Sequence, residues 1–275
     1  MTAMALHWKH GAPRTVFITG GGSGKGREFA LLLAREGASV AIFNRRLAPQ
    51  VEGELRAAAA PGGQQRFASY AADVADEAAL SDAFAQAQQD VGAPDLVVNS
   101  AGILVSAPFP DLAASDFARV VQINLVGSRN TAAVAVRHLR PGGHLVLVAS
   151  LAGLVGNYGY AAYGASKFGV VGLARALDLD LLPLGIDVSV CCPGVIHTPM
   201  VAHEQQVEHP TTRLLAEMPG VMEVGPACRG LLRGIARRRF LIKVGFKARA
   251  TAWLTQHLPG LMRVMSRAIV RRSLG

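Results

Sequence analysis

The chain reads as an α/β protein in which one doubly wound parallel sheet carries a basic, amphipathic helical extension at the C-terminus. Three observations predict this. Short apolar runs alternate with longer stretches of helical periodicity along most of the 275 residues. The apolar runs are hydrophobic on both faces, as strands covered by helices on both sides must be. The first of them opens through a glycine-rich turn straight into a helix. One large core suffices for this length, which lies near the roughly 250–300 residues where single cores stop growing. The expected division is 1–245 for the sheet domain and 246–275 for the extension.

Charge is distributed unevenly. Residues 1–224 hold 16 Lys and Arg against 19 Asp and Glu, whereas 225–275 hold 12 Lys and Arg and no acid. The basicity belongs to the tail alone, which argues against a nucleic-acid-binding protein because no recognised fold for that purpose accompanies it. No apolar run approaches the ~20 residues that span a bilayer. The N-terminus lacks a cationic-then-apolar leader, so a cytoplasmic location is expected. Cys191, Cys192 and Cys228 read as small buried hydrophobes in a reducing compartment, and no metal-ligand spacing occurs.

Val16-Phe17-Ile18 is the first strand. It enters Thr19-Gly20-Gly21-Gly22-Ser23-Gly24-Lys25-Gly26 and a helix from Arg27 to Glu36, closed by Gly37. Glycines tighten the turn and let a pyrophosphate approach the backbone, while the helix start offers free N–H groups and a positive dipole. This order is the Rossmann-type dinucleotide signature, with Thr19, Gly20, Gly22, Ser23, Gly24, Lys25 and Gly26 as candidate contacts. The next strand, 39–43, ends at Asn44-Arg45-Arg46. An acid about 20 residues past the glycines would hold a ribose diol. An amide and two guanidiniums suit a 2′-phosphate instead. NADP(H) is therefore favoured; NAD(H) stays open, since two arginines at a strand end can also be a solvated pair.

Strand 67–71 is followed by Asp73-Val74 and a helix over 76–90. Strand 95–99 leads into Ser100-Ala101-Gly102, and one long helix is predicted over 115–139 with Ser115 as N-cap. The apolar strand 144–149 ends at Ser150. Helix 160–182 places Tyr163 and Lys167 on one face, four residues apart. A fixed ammonium favours the phenolate, bringing the tyrosine down from about 10 toward the range useful to a general acid. Strand 187–192 stops at Pro193-Gly194. Gly20, Asn44, Asn99, Ser150 and Pro193 all fall at carboxyl ends of strands, where open α/β sheets bind ligands.

Residues 14 to about 200 resemble the short-chain dehydrogenase/reductase family. The likeness rests on Thr19-Gly20-x-x-x-Gly24-x-Gly26, Asn99-Ser100-Ala101-Gly102, Asn124 in Gln122-Ile123-Asn124, Ser150 thirteen positions before Tyr163, Tyr163-x-x-x-Lys167 and Pro193-Gly194. It implies hydride transfer between a nicotinamide and a carbonyl or secondary alcohol. In that chemistry Tyr163 exchanges the proton, Lys167 holds the nicotinamide ribose and lowers the tyrosine pKa, Ser150 orients the carbonyl, and Asn124 helps hold a relay water. The resemblance also implies cofactor contacts from Asp73, Val74, Asn99, Ala101, Gly102, Pro193, Gly194, Val195, Ile196 and Thr198, the last at the carboxamide. Plainer readings exist: Ser150 as a strand-end turn residue, Asn124 as an amide tied to backbone, Asp73 as a helix cap. The chemistry does not need His197 or His203. Lys25 stands where the family usually has an apolar residue; a phosphate contact and an altered nicotinamide pocket are both open.

A loop over 200–224 should cover the site. A helix over 226–239, opened by Pro226, and a strand over 240–244 follow. Within 248–272, Arg263, Arg267 and Arg271 share one helical face and Leu261, Met265 and Ile269 another, with a break at Pro259-Gly260. With Trp253, Leu254 and no acid, this segment suits an anionic membrane surface. The alternative is an extra helix packed on the core or on a second subunit. The tail and the 109–128 region are similar in style to family members acting on long-chain lipids, such as 3-ketodihydrosphingosine reductases. The leading expectation is an NADP(H)-dependent oxidoreductase of a hydrophobic long-chain carbonyl compound, homo-oligomeric and peripheral on the cytoplasmic membrane face. The enzymatic alternatives are a hydroxysteroid or retinol dehydrogenase and a β-ketoacyl thioester reductase. A membrane-associated dinucleotide-binding protein with little turnover is the non-enzymatic one, disfavoured by the Asn124, Ser150, Tyr163 and Lys167 set.

Overall fold

The computed structural model describes residues 6–274. Residues 1–5, where a leader would begin, and residue 275, the end of the predicted extension, lie outside that range. Strand β1 (Thr15–Thr19) feeds α1 (Gly24–Arg35), β2 (Ser39–Asn44) feeds α2 (Pro49–Ala58), and β3 (Phe67–Ala71) feeds α3 (Glu77–Asp90). After β4 (Leu96–Asn99) come α4 (Ala114–Val121), a π-helical turn (Gln122–Val126) and α5 (Gly127–His138). Strand β5 (His144–Val148) precedes α6 (Ala161–Asp180) and β6 (Asp187–Cys191). Then follow β7 (Val195–His197), α7 (Pro199–Glu204), α8 (Pro210–Glu217), β8 (Val221–Glu223), α9 (Val224–Ala236) and β9 (Leu241–Ile242). Helices α10 (Phe246–His257) and α11 (Pro259–Leu274) end the described chain.

Seven strands form one parallel sheet in the order β3-β2-β1-β4-β5-β6-β9. The direction of winding reverses between β1 and β4, which opens a crevice at their carboxyl ends. Alternation along the strands divides the core. Val16, Ile18, Val40 and Ile42 face α1, α2 and α9 through Phe29, Leu55 and Leu231. Phe17, Phe43, Val97 and Leu145 face α3, α5 and α6 through Phe84, Val134 and Val170. Phe84 stacks on Phe43 at 4.4 Å and meets Phe17 edge-on at 5.2 Å, each pair contributing about 0.5–1.5 kcal/mol beyond burial. The three cysteines are buried and free.

Three expectations are corrected. Ser115 does not cap its helix: Ala113 is the N-cap and the helix starts at Ala114. The long helix over 115–139 is interrupted by the π turn, and Asn124 lies in it. The segment over 200–224 is not a plain loop. Thr198 and His209 accept from backbone N–H groups at the starts of α7 and α8, and β8 pairs in parallel with β7.

Candidate active site

The crevice begins at the glycine turn. Gly20 and Gly24 have φ of 68° and 50°, a region most side chains avoid. A Cβ on Gly26 would stand 2.1 Å from the Gly20 carbonyl oxygen, and one on Gly20 would stand 2.7 Å from the Ala101 Cα. The turn therefore requires glycine at these places for backbone reasons, and it leaves the first N–H groups of α1 facing the crevice. Asn44, at the end of β2, accepts from the Gly22 N–H at 2.7 Å. Its Nδ2 is buried without a partner. Buried donors are nearly always paired, so this orphan beside the glycine turn fits a missing acceptor of the dinucleotide type. Arg45 and Arg46 follow it, both exposed.

Asp73 accepts from the Ala75 N–H at 2.9 Å, while α3 is capped by Asp76, which accepts from Ala79 N–H; Asp73 is thus not the helix cap. Val74 is buried against Gly127. Thr198 borders the turn, its Cγ2 lying 3.4 Å from where a Gly24 Cβ would be. Ser23 is exposed at the N-cap of α1, where its side chain makes no capping bond.

A chain of hydrogen bonds crosses the crevice floor. Thr19 Oγ1 donates to Asn99 Oδ1 at 2.5 Å, Asn99 Nδ2 donates to Ser128 Oγ at 2.7 Å, and Ser128 Oγ donates to the Asn124 carbonyl at 2.5 Å. The Asn124 side chain, fully buried, accepts from Ile103 N–H at 2.8 Å and donates to the Ile103 carbonyl at 2.9 Å. It thereby fixes the segment just past Ala101 and Gly102. The π turn supplies this placement, a frequent use of that irregularity.

Ser150 stands two residues past β5 and accepts from Ala152 N–H at 3.2 Å. Tyr163 and Lys167 rise from α6, with Lys167 Nζ 5.7 Å from the tyrosine ring centroid. The ammonium donates to the Val148 carbonyl at 3.0 Å. Here the electrostatics differ from the sequence reading. Burial pushes the Tyr163 phenol up, Ser150 beside it pulling the other way. Lys167 is perturbed as well: burial first, then repulsion from Lys25, bring it down to about 7. In the protein alone, burial rather than the neighbouring amine sets the direction of the phenol's shift.

Lys25 is lowered by burial as well, and it lines both the main cavity and the small slot it shares with Gly102, Tyr163 and Lys167. The main cavity, about 200 Å³, is bounded by Ser150, Tyr163 and residues 193–196, and it is otherwise mostly apolar. Lys25 is the one charged residue among its described lining. Motif spacing did not point to several wall residues: Tyr160, whose hydroxyl donates to Glu208 at 3.0 Å, and Thr251, Leu254, Met262 and Met265 from the C-terminal helices. His197 pairs with Glu223 at the surface, and neither it nor His203 lines the cavity.

The short chain dehydrogenase family matches residues 14–209. The chain belongs to that family. As a short-chain dehydrogenase it is an oxidoreductase that binds NAD(P)(H) and acts on carbonyl or alcohol groups. It is 32% identical over 235 residues to the 3-ketodihydrosphingosine reductase of Bos taurus, covering 84% of this chain and 70% of the relative. It is 36% identical to the 3-oxoacyl-[acyl-carrier-protein] reductase of Homo sapiens, over 66% of this chain and 76% of that one. Levodione reductase superposes with a TM-score of 0.74 at 30% identity, covering 86% of this chain and 98% of the other.

Proposed function

We propose that this short-chain dehydrogenase is an NADPH-dependent reductase of hydrophobic, long-chain ketones. The observation that carries the reading is the cavity itself: Ser150 and Tyr163 open onto a space walled by Leu104, Val155, Met200, Leu254 and Met265, with no carboxylate among its described lining. Such a space suits an alkyl chain with a carbonyl at one end. The names of the ketodihydrosphingosine and oxoacyl reductases among the relatives support a long-chain ketone. The orphaned Asn44 Nδ2 and the neighbouring Arg45 and Arg46 support the 2′-phosphate form of the cofactor.

A bound reduced nicotinamide supplies the hydride. Tyr163, held protonated through neutral pH by its burial, gives its proton to the carbonyl oxygen as charge develops there. The Ser150 hydroxyl donates a second hydrogen bond to that oxygen, acting where charge appears rather than on the ground state. Lys167, fixed on the Val148 carbonyl, would hold the ribose hydroxyls, and the proton that Tyr163 gives up would be replaced from solvent through a relay water that Asn124 helps hold. Lys25 and the backbone of 20–26 would hold the diphosphate. The exposed Trp253, Leu261 and Val264 beside Arg263 and Arg267 favour attachment to an anionic membrane surface, where substrates of this kind reside.

The test is NADPH and NADH oxidation with methyl ketones graded by chain length. Specificity for NADPH and kcat/KM that climbs with length support the reading; preference for NADH, or for short polar ketones, would overturn it.

A further inference from the structure

The tail's apolar stripe does not face the core. Met262, Met265, Ser266 and Ile269 of α11 recur at three- and four-residue spacing, so they share one face. All four line the cavity that contains Ser150 and Tyr163, and Arg263, Arg267 and Arg271 are exposed. No residue of α11 is buried. The helix packs on α8 and α10, tied near its end by Thr211 Oγ1 and Ser273 Oγ at 2.8 Å. An apolar helix face turned onto open space forgoes the contacts that interiors normally provide. A chain lying in the cavity would restore them, and unbranched methionines adapt to such a filling.

We propose that α11 is a wall of the substrate cavity and that Met262, Met265 and Ile269 are specificity-determining residues that set the length of alkyl chain accepted. This rests on the reading of the cavity as a ketone site. Within the space, each buried methylene should raise kcat/KM about four-fold. The rise ends where the chain meets these three side chains, so their size fixes the optimum. Their role is confined to the apolar chain; the reacting carbonyl lies with Ser150 and Tyr163.

Two measurements on the full chain separate this proposal from the activity reading. One is NADPH-dependent turnover of methyl ketones from hexyl to tetradecyl. The other is calorimetric binding of the same ketones to the protein without cofactor. Ile269→Trp and Met265→Trp should lower kcat/KM for the longest ketone about ten-fold or more while the hexyl compound changes little. Ile269→Ala should move the optimum to longer chains. The same alanine variant serves if a tryptophan variant folds poorly. Length-dependent binding that shifts with these variants, but without turnover in any of them, leaves the wall standing and removes the reductase reading. A length profile identical in wild type and variants, in turnover and in binding, or no chain binding at all, overturns the wall.

Discussion

Replacing Lys167 by methionine is expected to make the cofactor-free protein more stable near neutral pH, by an amount that shrinks as the pH rises. The side chain is 5% exposed, and burial with repulsion from Lys25 holds it at about 7 against an ordinary 10.5. A base depressed in the folded state binds more protons when unfolded, so its contribution to stability increases with pH between those two values. At 1.36 kcal/mol per pKa unit, the wild type bears about 4 kcal/mol of penalty near pH 7 and about 1 kcal/mol near pH 10. Methionine bears none. Losing the 3.0 Å bond to the Val148 carbonyl costs about 1–3 kcal/mol at either pH. Urea unfolding of wild type and Lys167→Met at the two pH values should give stability differences about 3 kcal/mol apart, in favour of the variant at the lower pH. A gap of zero, or one of opposite sign, would refute the claim that this ammonium is held in place against its own desolvation. Such a cost is typical of a residue kept for function.

Other outcomes follow from the same geometry. Changing Arg45 and Arg46 together to alanine should raise the Michaelis constant for NADPH about 10-fold or more and leave NADH unaffected, given that charge-assisted bonds are each worth about 1.5–3 kcal/mol; parallel losses for both cofactors would contradict the phosphate assignment. Gly26→Ala places a methyl 2.1 Å from the Gly20 oxygen, so NADPH fluorescence titration should detect little binding and the melting temperature should fall; wild-type behaviour in both would mean that the turn is not the cradle described. Replacing Arg263, Arg267 and Arg271 with glutamine should abolish salt-sensitive cosedimentation with vesicles containing anionic lipid, and undiminished cosedimentation would remove the arginine face as the attachment.

The sheet was legible because its signals are local. An apolar strand meeting Gly20, Gly24 and Gly26 before a helix has few other uses, and Asn44, Asn99 and Ser150 stand at strand ends whatever the tertiary details. What the sequence did not display depends on partners distant in the chain. Helix α2 hides in a polar, alanine-rich stretch where only Val51 and Leu55 are buried. The π turn aims Asn124 at Ile103, a contact that periodicity does not encode. The phenol of Tyr163 is raised rather than lowered because burial outweighs the hydrogen bond from Ser150, and burial is a property of the assembled cleft. The stripe of Met265 and Ile269 was visible as a helix face, but its spacing says nothing about what it covers.

The most direct measurement is single-turnover NADPH oxidation by Tyr163→Phe with a long-chain ketone, beside a titration of NADPH affinity. Loss of the phenolic proton donor should slow turnover about 10²–10⁴-fold with cofactor affinity unchanged. Turnover within a few-fold of wild type would contradict the assignment of Tyr163 as the group that protonates the carbonyl oxygen.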